Sequence, residues 1–199
     1  MKWFFDMDRP VMRGLTAAAD LLILNLLTLL CSLPLFTVGP ALTALADGCL
    51  HLVRDEGSSV SRTYFRVFRA RFRRSLPFGL LLLLTAGLLY FDYLAALTYV
   101  PPMRYGIAAL GVLLLAMAIA VFFLLASGVS GFGEVCRKAV LLVVGNAPKT
   151  ALLLVVWLTL WVLALMFIRY SAPVLLMFGL SLPGYVSAAV LAAALPDGG

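Results

Sequence analysis

Long hydrophobic stretches of this chain are separated by short polar or basic segments. A stretch of about 20 mainly apolar residues is long enough to cross the hydrocarbon core of a bilayer as a helix. The second stretch is the shortest. Its helix would cover only about 21 Å of a hydrocarbon core that is roughly 30 Å thick. The predicted spans are residues 13–33, 40–53, 76–99, 105–129, 147–168 and 173–195.

The composition agrees with this pattern. Of the 199 residues, 64% are hydrophobic and only 12% are charged, whereas about a quarter of the residues in a soluble domain are charged. The chain is therefore predicted to be an all-α, polytopic helical membrane protein, with residues 1–199 forming a single integral membrane domain. The net charge of +6 does not indicate nucleic-acid binding, because most arginines lie between hydrophobic segments, where topology signals are found.

The positions of lysine and arginine predict the orientation. If six segments cross and the N-terminus is cytoplasmic, thirteen Lys and Arg residues lie inside and only Arg104 and Arg169 lie outside. This is the usual positive-inside bias, and it predicts that both termini are cytoplasmic. If the short second segment did not cross, the arginine-rich segment after it would lie outside, so the charge distribution supports a second span.

The pattern of residues 58–75, between the second and third spans, predicts a basic amphipathic helix. At 100° per residue, three phenylalanines share one face with Tyr64, and four arginines lie on the neighbouring face. One interpretation is an anchor on anionic lipid at the cytoplasmic surface. The other is a docking helix for a partner protein. The candidate residues are Arg62, Phe65, Arg66, Phe68, Arg69, Phe72 and Arg73.

A weaker copy of this arrangement follows 71 residues later. It pairs Arg66 with Arg137, Pro77 with Pro148, Tyr99 with Tyr170 and Pro102 with Pro173. These matches indicate an internal repeat. Two spans in each unit would make it a parallel repeat about an axis along the membrane normal.

The segment "LPLFTVGP" interrupts the helical pattern without becoming polar. Irregular backbone cannot be exposed to hydrocarbon, because its amides and carbonyls need partners. The segment is thus either a corner buried between helices or the lining of a binding cavity, as in the broken helices of transporters. A second break, at Pro183-Gly184, is predicted to interrupt the sixth stretch. Two breaks that face each other would outline a substrate path. The candidate residues are Ser32, Pro34, Thr37, Gly39, Pro40, Pro183 and Gly184.

Few polar side chains fall within the spans. Asp20, Asn25 and Asp47 are the candidate buried polar residues, since such groups usually face the interior of a bundle. Asp47 and His51 are four residues apart on one helix face, which suits either a proton relay or an ordinary pair at the interface. No spacing of residues suggests a catalytic set, a phosphate loop or a metal site, so we expect no enzyme activity, no cofactor and no metal.

The stretch "MRGLTAAADLLILNLLTLLCSLPLFTVGPALTAL" resembles the amino-terminal signature of the bacterial YesL-like family, whose function is unassigned. The Arg/Phe helix after "LVRDEG", the "NAPKTALLL" start of the fifth span and "FGLSLPGYVSA" are also similar to that family, so the resemblance extends over nearly the whole chain. The matching positions of the first motif are Asp20, Asn25, Leu26, Leu27, Cys31, Ser32, Leu33, Pro34, Thr37, Gly39, Ala44 and Leu45.

The resemblance implies a bacterial inner-membrane protein, and such proteins are often encoded beside carbohydrate uptake systems of the ABC type. The leading hypothesis is accordingly an accessory protein that contacts ABC permease subunits and anionic lipid. A stand-alone transporter or channel, with a path between the two broken spans, is the alternative. A membrane scaffold without a ligand is the third hypothesis.

Overall fold

The computed structural model describes residues 2–54, 59–99, 103–129, 131–166 and 179–191. Within these ranges the chain is helical and contains no β-strand, which confirms the predicted all-α class. A short 3₁₀ turn at Leu35–Thr37 separates the first two helices. The helices are α1 (Lys2–Ser32), α2 (Val38–Val53), α3 (Val60–Tyr99), α4 (Met103–Ala126), α5 (Phe132–Gly145), α6 (Ala147–Met166) and α7 (Ser181–Leu191).

Four described helical segments are long and apolar enough to cross a membrane. They are Leu15–Ser32, Leu35–Val53, Val60–Ala96 and Tyr105–Ala126. The α5–α6 pair meets the same test but bends by 92° at its junction, so it forms either a fifth, broken span or a re-entrant segment. The chain is thus a multi-pass membrane protein. Of the predicted sixth span, 173–195, only residues 179–191 are described, and they include α7.

Helix α2 lies at the centre of the molecule, where it packs against α1, α3, α4 and α7. Small residues allow these helices to approach closely, as is common in membrane bundles. A Cβ atom on Gly39 would collide with the backbone of α3 at Ser75 and Gly79. A Cβ on Gly48 would lie 2.6 Å from a methyl carbon of Leu24 in α1.

Helix α3 joins two elements that the sequence divided. The predicted amphipathic helix at 58–75 and the predicted span at 76–99 form one helix of 40 residues, with Pro77 inside it. A proline in a helix lacks an N–H donor and usually kinks the helix. Here the chain continues, and Gly79 is held against α2 directly after the proline. At 1.5 Å per residue, α3 is about 60 Å long, roughly twice the hydrocarbon thickness.

Helix α4 ends in a Schellman motif. Gly128 adopts a positive φ of 89°, which a glycine adopts without steric cost. Its N–H donates to the carbonyl of Leu125 at 3.2 Å, and the N–H of Val129 donates to the carbonyl of Leu124 at 3.2 Å. Two carbonyls at the end of α4 therefore gain partners.

Candidate functional site

The interrupted segment between α1 and α2 is closed by its own threonine. The hydroxyl of Thr37 lies 2.5 Å from the carbonyl oxygen of Cys31 and 2.6 Å from that of Pro34. The N–H of Thr37 also donates to the Pro34 carbonyl at 2.8 Å. The hydroxyl thus serves carbonyls that the broken helix leaves without intrahelical partners. Leu35 and Phe36, in the turn itself, are exposed on the surface of the chain.

The seven residues predicted for a buried corner or cavity are distributed as follows. Thr37, Gly39, Pro40, Pro183 and Gly184 are buried, Ser32 is half-buried, and Pro34 is exposed. The hydroxyl of Ser32 donates to Leu29 in its own helix at 3.0 Å.

Pro183 and Gly184 were predicted to break the sixth stretch, but they lie inside α7, and Gly184 contacts a different part of α2 from Gly39. Gly39 packs against Gly79 of α3, whereas a Cβ on Gly184 would lie 3.3 Å from the sulfur of Cys49. These two positions of α2 are about 15 Å apart along the helix. A path between these two segments stays a prediction.

Asn25 joins α1 to α7. Its side chain is fully buried, and Oδ1 accepts hydrogen bonds from the N–H groups of Leu180 at 3.0 Å and Ser181 at 3.3 Å. These amides begin α7, and the first amides of a helix have no partner within it. The residue predicted as a buried polar group thus acts as an N-terminal cap supplied by another helix.

The other two candidate polar residues differ in burial. Asp20 is half-buried on α1, whereas Asp47 is 7% exposed. The Nε2 atom of His51 lies 3.4 Å from Oδ2 of Asp47, so the predicted pair forms. The proton relay stays a prediction.

Arg71 completes this buried polar group. It is close enough to interact electrostatically with Asp47, and its guanidinium donates to the carbonyl of Leu125 at the end of α4. Cations stabilise the carbonyl end of a helix. Sequence reasoning did not single out Arg71, although helical periodicity places it about 180° from Arg62 and Arg73. Its position opposite the exposed arginines could have indicated that Arg71 faces the bundle.

The Arg/Phe face of α3, predicted at 58–75, is divided by burial. Arg62, Arg66, Arg69 and Arg73 are exposed, and Phe65 is 49% exposed.

Two other aromatic side chains of this region, Tyr64 and Phe68, pack in the core of the bundle. Tyr64 is fully buried, and its hydroxyl lies 3.4 Å from the carbonyl oxygen of Ala41. Phe68 and Phe72 are half-buried, and Phe68 stacks on Tyr64 with ring centroids 6.3 Å apart. Among the aromatic residues between 58 and 75, Phe65 is therefore the one presented to a partner or a membrane surface.

A cavity of about 460 Å³ lies between α2, α3, α4, α6 and the start of α7. Among the lining residues that the structure describes, Trp157 alone has a side chain with a polar atom, and its Nε1–H donates to Ser187 at 3.1 Å. Of the residues predicted for a cavity, Gly184 alone is among those described as lining it. The lining residues are Leu42, Leu45, Ala46, Leu82, Leu83, Ala86, Leu89, Gly111, Leu114, Leu115, Ala118, Ile119, Phe122, Phe123, Trp157, Leu180 and Gly184.

Metal ligands do not converge in the part of the chain that the structure describes. Within it, no three His, Cys, Asp or Glu side chains come together in a way that could hold a metal ion.

Comparison with known proteins identifies one region of the chain. No curated protein matches the sequence, and no solved structure matches it. Residues 21–93 match a protein-family model described as "Protein of unknown function, DUF624". The match runs from α1 through the 3₁₀ turn and α2 to the last two turns of α3, so it includes Asn25, the Gly39–Gly79 contact and Arg71. Over that region the chain is similar to a family of unknown function.

Proposed function

We propose that this chain is a YesL-like accessory protein of the bacterial inner membrane that assists a carbohydrate ABC importer. The proposed role is non-enzymatic, and the partners are permease subunits. The observation that carries the proposal is the continuity of α3, which bears exposed arginines over residues 62–73 and exposed leucines over residues 80–94 in a single helix.

A continuous helix presents its arginines in a fixed arrangement. Arg62, Arg66, Arg69 and Arg73 recur every three or four residues, so they form one stripe along α3. Burial of Tyr64 against α2 fixes the rotation of the helix about its axis. A preordered stripe loses less conformational entropy on binding than a flexible basic segment does. It therefore suits an acidic surface on a partner protein.

The cavity supports an accessory role rather than a sugar path. A sugar would transfer many hydroxyl groups from water into a lining that offers hydrocarbon, and each unpartnered hydroxyl costs about 1–3 kcal/mol. The one polar side-chain group in the described part of the lining, the Trp157 indole N–H, is already bonded to Ser187.

The proposed orientation follows the charges. The proposal places the exposed arginines of α3 at the cytoplasmic surface, where permease subunits and anionic lipid are both accessible. Lipid contact and partner contact use the same side chains, so the experiment has to separate them.

The test is co-purification of the tagged protein from native membranes in mild detergent, with permease subunits identified by mass spectrometry. The double substitution Arg66→Glu/Arg69→Glu reverses two exposed charges and should abolish co-purification. The control, Arg137→Glu/Lys149→Glu, makes the same change in net charge on exposed positions of α5 and α6 and should retain the partner.

Three results would overturn the proposal. Equal retention of the permease by both variants would exclude the arginine stripe as the docking surface. Loss of anionic-vesicle binding with no permease in the wild-type eluate would assign the stripe to lipid. Stabilisation of the isolated protein by a sugar, lost on substitution of Thr37, would favour a transporter. Phe68→Glu is unsuitable as a test, because the half-buried Phe68 contributes to the core.

A further inference from the structure

We infer that the cavity between α2, α3, α4, α6 and α7 is a binding site for one acyl chain of a membrane phospholipid. Its volume of about 460 Å³ lies within the usual range for ligand sites. Its walls consist of aliphatic and aromatic side chains together with two glycines, so the chemistry that it matches is hydrocarbon.

The polar groups near the cavity are occupied elsewhere. The indole N–H of Trp157 donates to the hydroxyl of Ser187 at 3.1 Å, and that hydroxyl donates to the carbonyl of Pro183 at 2.7 Å. A bound water needs two to four polar partners, and the described lining does not supply them. An apolar occupant is therefore favoured over water or a polar ligand.

The cavity opens toward lipid rather than toward water. Ala86 of α3 lines the cavity and is nevertheless exposed, so the cavity reaches the surface beside it. Ala86 lies in Val60–Ala96, and the lining residue Gly111 lies in Tyr105–Ala126; both segments are long and apolar enough to cross a membrane. An opening beside a segment of this kind lies in hydrocarbon. The ligand that reaches such an opening from the bilayer is a lipid chain.

The site is also placed to join separate parts of the bundle. Leu45 belongs to the central helix α2, Trp157 belongs to α6, and Leu180 lies just before α7. An acyl chain between them would contact all three and also α3 and α4. Because a ligand that binds the folded protein and not the unfolded chain stabilises the fold, the site predicts lipid-dependent stability.

Glycine positions in α4 provide the test. Gly111 lines the cavity, and a Cβ there would meet no atom within 4 Å, so Gly111→Leu places a side chain in the cavity without a backbone collision. Gly106 in the same helix also has open space around its Cβ but is absent from the described lining. Gly106→Leu is therefore the matched control for the change in helix propensity.

The measurements are native mass spectrometry and thermal unfolding of the purified full-length chain in detergent. After delipidation, dioleoyl phosphatidylglycerol should be retained as one molecule per chain and should raise Tm by several degrees. Dihexanoyl phosphatidylglycerol, which has the same headgroup and short chains, should do neither. Oleate alone should raise Tm if the chain itself is recognised. The wild type and Gly106→Leu should respond alike, and Gly111→Leu should lose both responses.

A second readout covers the case in which Gly111→Leu does not fold. In a Trp3→Phe/Trp161→Phe variant, a phospholipid brominated in its acyl chain should quench the fluorescence of Trp157 with saturation near one lipid per protein. Quenching that rises without saturation, an equal response to short-chain lipid, or full lipid retention by folded Gly111→Leu would each overturn the inference. These results are independent of whether a permease co-purifies.

Discussion

Helix α3 and the α5–α6 pair occupy corresponding positions of the predicted repeat, yet they differ in shape. Each has a proline at the same place in the 71-residue alignment, Pro77 in α3 and Pro148 in α6. Helix α3 continues through its proline for 40 residues, whereas α5 and α6 meet at an angle of 92°. Proline alone therefore does not decide whether the helix is interrupted.

The residues before each proline explain the difference. Gly145 and Asn146 precede the second proline, and both residue types end helices readily. Asn146 has left the helical conformation, with φ −116° and ψ 41°. The position corresponding to Asn146 is Ser75, which remains helical and donates its hydroxyl to the carbonyl of Arg71 at 2.8 Å.

Packing of the residues that follow each proline also favours a straight α3 and a bent α5–α6 pair. Gly79 of α3 lies against the backbone of Gly39 in α2, so the chain beyond Pro77 is held in line by another helix. The corresponding position in α6 is Thr150, which is buried and whose hydroxyl reaches back to the carbonyl of Val143 at 3.4 Å. A contact with a neighbouring helix supports the straight member of the pair, and a contact across the bend supports the other.

The largest expected effect comes from removing the contact that supports the straight helix. Gly79→Leu would place a side chain against the Gly39 backbone, which cannot move away as a flexible side chain can. Overpacking costs about 1–3 kcal/mol, and because this neighbour is backbone we expect the upper end of that range and a separation of α3 from α2. Denaturation in mixed detergent measures the loss. Gly87→Leu in the same helix, with no atom within 4 Å of its Cβ, should cost nothing, and an equal loss for both variants would refute the role of the contact.

The hydrophobic pattern was sufficient to predict apolar helices, because apolar length alone identifies segments long enough to cross a bilayer, but α5 (Phe132–Gly145) was not among the predicted elements. It also identified Asn25 as buried, since a polar residue in an apolar helix faces the interior. It did not indicate the partner of Asn25, which lies 155 residues away at the start of α7. Such a partner depends on which helices are neighbours, and single-helix periodicity does not contain that information.

Two further features could not be predicted from the sequence for the same reason. They are the continuity of α3 through Pro77 and the presence of the cavity. The local penalty of Pro77 is visible in the sequence, but the Gly39–Gly79 contact that accompanies it is tertiary. The cavity requires the relative positions of the helices that enclose it. Arg71 is a different case, because its direction on α3 was available from periodicity, and only its bond to Leu125 was not.

A second substitution tests the inward arginine, which has no counterpart in the other half of the repeat. The position corresponding to Arg71 is Leu142, a buried apolar residue of α5. Arg71→Leu makes the two halves alike and removes the bond to the end of α4, at an expected cost of about 1–3 kcal/mol. Arg69→Leu, at an exposed position, should change stability by less than about 0.5 kcal/mol. Equal denaturation midpoints for the two variants would contradict the structural role of Arg71.

A third substitution aims to straighten the bent pair. Gly145→Ala/Asn146→Leu replaces both helix-ending residues with good helix formers, a change in propensity of about 1–1.5 kcal/mol. Spin labels at the exposed positions Val140 and Leu158, in a background without native cysteines, measure the angle. From the helical rise, the backbone separation should increase from about 20 Å to about 27 Å. An unchanged distance would mean that packing, and not the two residues, sets the bend.

The smallest expected effect concerns the hydroxyl that spans the bend. Thr150→Val keeps the shape of the side chain and removes its bond to Val143, which at 3.4 Å is long. The expected loss is about 0.5–1 kcal/mol. The control is Thr85→Val in α3, whose hydroxyl bonds only to carbonyls of its own helix, at 2.8 Å and 3.1 Å, so its loss should leave stability unchanged. If straightening by Gly145→Ala/Asn146→Leu is enhanced by Thr150→Val, the hydroxyl and the helix-ending residues stabilise the same bend. If the two effects are independent, Thr150 contributes only to local packing, and the bend depends on Gly145 and Asn146 alone.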